Sequence, residues 1–360
     1  MINKKVRSSA LIAVFSLMSV AGVLFLTVDE RTSRFLFSID LRFLLLLLGL
    51  WALTLSADAL SISLFIRGAE ERLSIKTAYR TAVTRIFFNI LTPFGFGGQP
   101  FMIYLLSKEG VSPGKGSTIA VTRLMILSAY TQIGAIIAFF FYNGRLSEIP
   151  ALRGMFLAAG TLGAVIIGLI FASLLYPHLM IRLIKLIGRF LHRLKIVKDL
   201  ARFKRKAVHE GAVARRSFKR FFSRNLRVFV LGMLSTFILY AAQLLTLMVI
   251  LRGLNITVEF WTGISLSAIL LFAMLFLPTP GAAGLGEGAF ILIFAGTIPK
   301  YLIGIALITW RVFFHYLTAV VGALSVSRLF SQNNVPGEAV PLPGGNSKSR
   351  STPSVIENRS

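Results

Sequence analysis

Two pairs of residues in this chain share one spacing: Glu287 stands 24 residues before Arg311, and Gln99 stands 24 residues before Arg123. All four lie among apolar residues, where a charged side chain costs about 3 kcal/mol or more unless it is paired or solvated. Arg311 is therefore the natural partner of Glu287. Arg123 and Arg311, on related helices, could also face a central cavity and receive an anion. Gln99 follows Pro93, Gly95, Gly97 and Gly98, and Glu287 follows Pro280, Gly281, Gly284 and Gly286, so each heads a half-helix whose free N–H groups attract negative charge. The plainer alternative is that Glu287 and Arg311 form a structural ion pair at the interface of two repeats.

Asp58 lies alone in an apolar run and has three readings. It is a proton or cation site, the partner of an arginine such as Arg123, or a polar kink shared with Ser56, Ser61 and Ser63. His315 follows Arg311 by one helical turn and reads as a hydrogen-bonding neighbour. His178, His192 and His209 fall in a basic stretch without ligand spacing, and the chain has no cysteine. No metal, cofactor or catalytic residue set is expected. The glycine-rich run Gly281 to Gly288 lacks the Lys-Ser/Thr ending of a phosphate loop.

These residues must be positioned by interrupted helices. The apolar runs Ile264 to Phe276 and Gly288 to Gly296 are each shorter than the roughly 20 residues that cross a bilayer. Between them, prolines and glycines free backbone groups that lipid cannot satisfy, so the break must lie in protein or line a wet cavity. Thr92 to Gln99 repeats Thr279 to Glu287, one residue shorter. Paired Pro/Gly-interrupted segments in two halves point to a transporter binding site.

The rest of the chain fits a membrane domain. Hydrophobic residues make up 55% of 360, with a mean hydropathy of +0.76, too little polar surface for a water-soluble globule. Of the net charge of +25, more than half sits between Arg182 and Arg227, where 16 Lys/Arg meet only Asp199 and Glu210. With no nucleic-acid-binding motif beside it, this charge reads as a cytoplasmic topology signal. Arg182, Lys185, Arg189 and Arg193 share a helical face suited to an anionic leaflet.

Spans are expected at Ala10 to Val28, Phe43 to Ile66, Thr118 to Phe141, Gly154 to Tyr176, Leu226 to Leu251 and Tyr301 to Val326. Working outward from a cytoplasmic basic linker, each broken segment enters and leaves on one side, and the two dip in from opposite faces. The expectation is an all-α polytopic membrane protein: about six spanning helices plus two re-entrant broken-helix hairpins in an inverted repeat, with both termini cytoplasmic. Residues 1–330 form the transmembrane domain, with the basic linker at 177–225, and residues 331–360 form a polar, disordered tail.

Asn89, Pro93, Gly95 and Gly97-Gly98-Gln99-Pro100, then Ala120-Val121 and Arg123, and later Pro278, Pro280-Gly281, Gly284 and Gly286-Glu287-Gly288, carry a family resemblance. The order and spacing resemble the flippase-like membrane domain of the lysylphosphatidylglycerol synthase family, over about Ala10 to Phe330. Members with a following aminoacyl-transferase domain make aminoacylated phosphatidylglycerol and move it between leaflets; others stand alone, some linked to lipid-carried glycans. No aminoacyl-transferase domain is expected in this chain, so lysyl transfer by it is not expected. The resemblance also leads one to expect a glutamate where Gln99 stands.

The expected activity is translocation, or help with translocation, of an anionic or phosphate-bearing lipid, polyprenyl-linked lipids included, across a cell inner membrane. Membrane lipids are the expected partners, nucleic acid is not, and homo-oligomerisation stays open. A secondary transporter or channel for a small anion, and an enzyme or accessory acting on a lipid-linked substrate, are the alternatives.

Overall fold

The computed structural model describes residues 41–141 apart from Phe96, scattered positions in 154–176, and residues 177–193 and 199–332 apart from Arg224. The span expected at Ala10 to Val28, the Tyr142 to Arg153 loop and the tail beyond Gln332 lie outside them. The described positions between 154 and 172 are helical. The remaining helices are α1 (Leu41–Gly68), α2 (Ile75–Ile90), α3 (Gly98–Lys108), α4 (Pro113–Phe141), α5 (Pro177–Arg193) and α6 (Leu200–Ser223) in the first part of the chain. The second part holds α7 (Leu226–Gly253), α8 (Phe260–Met274), α9 (Leu285–Phe294), α10 (Lys300–Arg311) and α11 (Leu317–Gln332). The fold is all-α. Among the described residues, Leu41–Gly68, Pro113–Phe139, Leu226–Gly253 and Lys300–Arg328 are long and apolar enough to cross a bilayer.

Both broken segments are helical hairpins. The limbs of the second, α8 and α9, have 15 and 10 residues, about 22 and 15 Å of helix against a hydrocarbon core of about 30 Å. Neither limb can cross alone. In the first hairpin, Pro93–Gly95 forms a single tight turn with Phe94 and Gly95 left-handed (φ 55° and 64°). The turn is held by its own side chains. Thr92 Oγ1 accepts from the Gly97 amide at 2.8 Å, and Asn89 Oδ1 accepts from the Gly98 amide at 2.8 Å. The second hairpin turns at Pro280–Ala282 in the same way, with Gly281 and Ala282 left-handed (φ 59° and 53°).

The hairpins enter from opposite ends of the molecule. Helices α1 and α7 run antiparallel along their length: Phe43 lies against Gly253, Ala57 accepts a hydrogen bond from Ser235, and Phe65 lies against Gly232. Small residues let these backbones approach closely, as in membrane helix pairs generally. At the end where α1 finishes, the base of the first hairpin is tied together by ion pairs, Arg80 to Glu109 and Lys115 to Glu71. There α2 starts and α3 ends side by side. The second hairpin begins at the other end, immediately after α7, where Ile256 and Val258 share a core with Phe294 and Ile298. The two tips meet between these ends, so that a Cβ on Gly281 would lie 3.2 Å from Ile90 Cγ2.

Two apolar cores form, one mainly among α1 to α4 with Phe229 of α7, the other mainly among α7 to α10 with Leu47 of α1 and Ala138 of α4. The halves also exchange a helix. Helix α4, which follows the first hairpin, packs along α8 of the second, while α11, which follows the second, packs along α2 of the first. The latter contact is close, because Gly322 faces Phe87 and the Val83 carbonyl with no room for a side chain.

The basic linker is more than a connection. Helix α6 docks on α4, where Glu210 Oε2 accepts from the Gly114 amide (2.6 Å) and Thr118 Oγ1 bonds the Ala214 carbonyl (3.0 Å). Arg220 and Glu70 add an ion pair at 2.7 Å. Arg182, Lys185 and Arg189 on α5 are exposed, as the shared-face reading expects.

A Cβ on Gly98 would collide with Asn89 Oδ1 and the Arg85 carbonyl, whereas Gly288 has open space around it. Gly98→Ala is therefore expected to destabilise the protein by about 1–3 kcal/mol, and Gly288→Ala to leave it unchanged, in thermal unfolding of detergent-solubilised protein.

Candidate functional site

The hairpin tips form part of the wall of a cavity of about 420 Å³. Most of the wall is apolar, supplied by residues such as Leu239, Met274, Phe313 and Phe314. One side is polar. Asp58 of α1, Arg85 of α2 and Arg123 of α4 meet there, all buried. Arg85 Nη2 donates to Asp58 Oδ2 at 2.5 Å and Arg123 Nη2 donates to Asp58 Oδ1. One carboxylate thus serves two guanidiniums, and this cluster presents one positive charge in excess. Burial removes water's screening, so that excess acts strongly on an anion entering the cavity.

The first hairpin delivers Arg85 because its strained turn fixes α2 over α1. Residues 67–85 carry five cations, Arg67, Arg72, Lys76, Arg80 and Arg85, which by composition alone look like a solvated basic stretch. The structure instead places Arg85 deep in the protein, one turn before Asn89. The available signal was Arg85's place on the same helical face as Asn89, whose side chain caps the hairpin. Of the sequence readings of Asp58, the arginine partnership is the one the geometry displays.

Arg311 and Glu287 lie behind the second tip and do not line the cavity. Arg311 Nη1 donates to the Gly281 carbonyl (2.8 Å) and Nη2 to the Ala282 carbonyl (3.0 Å), while Nη2 lies 2.8 Å from Glu287 Oε1. The guanidinium therefore clamps the left-handed turn, and the carboxylate balances its charge. Gly286 is needed here because a Cβ would sit 2.7 Å from Arg311 Nη2. Gly281 and Ala282 themselves do line the cavity, so Arg311 touches the site through their backbone.

Gln99, by contrast, lines the cavity, although sequence spacing sets it equivalent to Glu287. Counted from the tip prolines, Gly97 and Gly284 both stand as helix N-caps four residues on, which matches Gln99 with Gly286. Glu287 is one residue further into its helix. One residue is about 100° of rotation, enough to turn the side chain from the cavity toward Arg311. The tip glycines Gly95, Gly97, Gly98 and Gly284 shape the two turns.

The halves differ in a complementary way. Helices α1 and α7 both have 28 residues, open with Leu-Arg and close with Arg-Gly. In that alignment Gln243 of α7 matches Asp58 of α1, and both line the cavity. In the first half the acid is on the long helix and the hairpin carries a neutral glutamine. In the second half the two are exchanged.

His315 lies in a π-helical turn, Val312–Tyr316, that joins α10 to α11 and sets Phe313, Phe314 and His315 in the cavity wall. Such turns are rare and recur at functional sites.

Removing Arg311 leaves Glu287 buried without its cation and the tip carbonyls without their donor. Arg311→Ala is expected to cost about 3–5 kcal/mol, and Arg311→Ala/Glu287→Gln to recover part of that loss. Thermal unfolding of the single and double variants checks this; equal losses would show that the carboxylate is not the cause.

Residues 9–322 match the family described as the lysylphosphatidylglycerol synthase TM region. The chain is also similar to a UPF0104 membrane protein of Archaeoglobus fulgidus, 23% identical over 272 residues that cover 71% of this chain and 77% of the relative. The match takes in both hairpins, the three buried arginines and their two carboxylates, and the chain belongs to the family of lysylphosphatidylglycerol synthase transmembrane regions.

Proposed function

We propose that the protein binds an anionic, phosphate-bearing lipid headgroup in the cavity between the hairpin tips and moves it from one leaflet to the other. The observation that carries this reading is the Arg85–Asp58–Arg123 cluster, a buried centre of excess positive charge on the wall of an otherwise apolar cavity. Each guanidinium gives one Nη to Asp58, which leaves further N–H groups for a phosphate oxygen. The family supports a lipid-related role.

A lipid fits better than a free anion because of the cavity's edge. Phe94 and Leu275 line the cavity and are also exposed at the protein surface, 46% and 38% respectively. An apolar edge of that kind lets acyl or prenyl chains stay in the bilayer while the headgroup sits inside. Two hairpins entering from opposite ends supply the two half-barriers whose alternate opening would pass the headgroup through.

The test is transfer of a fluorescent-headgroup-free, chain-labelled phosphatidylglycerol in vesicles carrying purified protein. Asp58→Asn/Arg85→Ala/Arg123→Ala, which removes both cations without leaving Asp58 as an unpaired buried ion, is expected to slow transfer at least about tenfold, the size of effect that loss of charge-assisted contacts gives, while the protein still inserts and stays monodisperse. Transfer at the wild-type rate would overturn the assignment of the cavity. Flux of inorganic phosphate or chloride without lipid movement would favour a small-anion transporter.

A further inference from the structure

The cavity makes no use of the basic linker. Of the 16 Lys/Arg between Arg182 and Arg227, none of those described lines it, and one of the two acids in that stretch, Glu210, is engaged by the Gly114 amide. On α5, Arg182, Lys185 and Arg189 are exposed, and among the described residues none of the three has an ion pair.

Helix α5 has two distinct sides. It packs on α6, and Gly188 is buried there, with Ile181 and Ile184 half-buried around it. Leu186 stands two residues before Gly188, about 200° round the helix, and is 58% exposed. Arg182, Lys185 and Arg189 fall within about 60° of arc beside it. A cationic stripe bordered by an exposed leucine suits a helix lying in a membrane interface, where the apolar flank enters the acyl boundary and the charges meet phosphates. An acidic soluble partner would account for the cations alone. Leu186 favours the membrane.

The neighbours of α5 place it suitably. Exposed Tyr176 immediately precedes Pro177, and tyrosine is favoured at the boundary between lipid and water. Helix α6, on which α5 packs, is bonded to the start of α4 and paired with Glu70 just past the end of α1. That is also where ion pairs tie the base of the first hairpin.

We propose that α5 is a second lipid-binding surface, separate from the cavity: it lies on an anionic leaflet beside the base of the first hairpin. Arg182, Lys185 and Arg189 contact lipid phosphates, and Leu186 enters among the acyl chains. Such a contact answers to the charge of the surface rather than to one headgroup, and it does not depend on what the cavity carries.

Because the chain has no cysteine, Leu186→Cys accepts a single environment-sensitive fluorophore on the full-length protein. The labelled protein is placed in nanodiscs of phosphatidylcholine, or of phosphatidylcholine mixed equally with phosphatidylserine, each with a spin-labelled lipid as quencher. A single cation near an anionic surface favours contact about fivefold, so the ratio of inserted to water-exposed probe should rise at least about fivefold in the anionic discs. Phosphatidylglycerol should act like phosphatidylserine. High salt, or Arg182→Gln/Lys185→Gln/Arg189→Gln, should return the ratio to its value in phosphatidylcholine. Equal quenching in both kinds of disc would overturn the proposal, and so would a probe that stays in water in both. A probe that responds to soluble polyglutamate and not to lipid would overturn it in favour of an acidic protein partner. Amide hydrogen exchange along α5 in the unlabelled protein checks the result without the substitution, with slower exchange expected in the anionic discs and equal exchange counting against the proposal.

Discussion

Charge buried at bilayer depth is the constraint on which this structure turns. Three arginines, Arg85, Arg123 and Arg311, share two carboxylates, Asp58 and Glu287, all at or near full burial. Breaking up such a set is costly because each member left behind is an uncompensated ion in a poor solvent. The pairs therefore dictate which helices must sit together. Asp58 draws the first limb of the first hairpin and the helix after it onto α1, and Glu287 holds α10 against the second tip. The apolar cores then fill the space around these fixed points.

The two charge groups have come to serve different ends. At the second tip the guanidinium is consumed by two backbone carbonyls and one carboxylate, and what remains is a rigid turn. In the first half the acid divides itself between two cations and leaves a surplus beside open space. A single sequence repeat thus yields one structural clamp and one electrostatic site. The exchange of acid and amide between long helix and hairpin, Asp58 with Gln99 against Gln243 with Glu287, is what separates them.

Much of this was legible in the chain. Prolines and glycines inside apolar runs announced both hairpins, since only a protein-lined break is tolerated there, and the Glu287–Arg311 contact followed from the need to pair a buried acid. Arg85 was not legible, because counting charges along residues 67–85 groups it with its solvated neighbours and only the fold shows it turned inward. The differing roles of Gln99 and Glu287 were hidden for a related reason: their matched distance to an arginine masks a one-residue shift relative to the turns, and helical rotation converts that shift into a change of face. Helix α6 also resisted reading, since its cationic composition looks solvated while Ala214 and Phe218 form a buried docking stripe.

The exchange of helices between the halves bears on how such a molecule came to be one chain. Helix α4 covers the second hairpin and α11 covers the first, so each half in isolation would expose a hairpin face that its counterpart normally covers. Two separate copies could have met this need only as an antiparallel pair inserted in opposite senses. Joining them through an amphipathic basic segment fixes the relative insertion of the two halves within one chain.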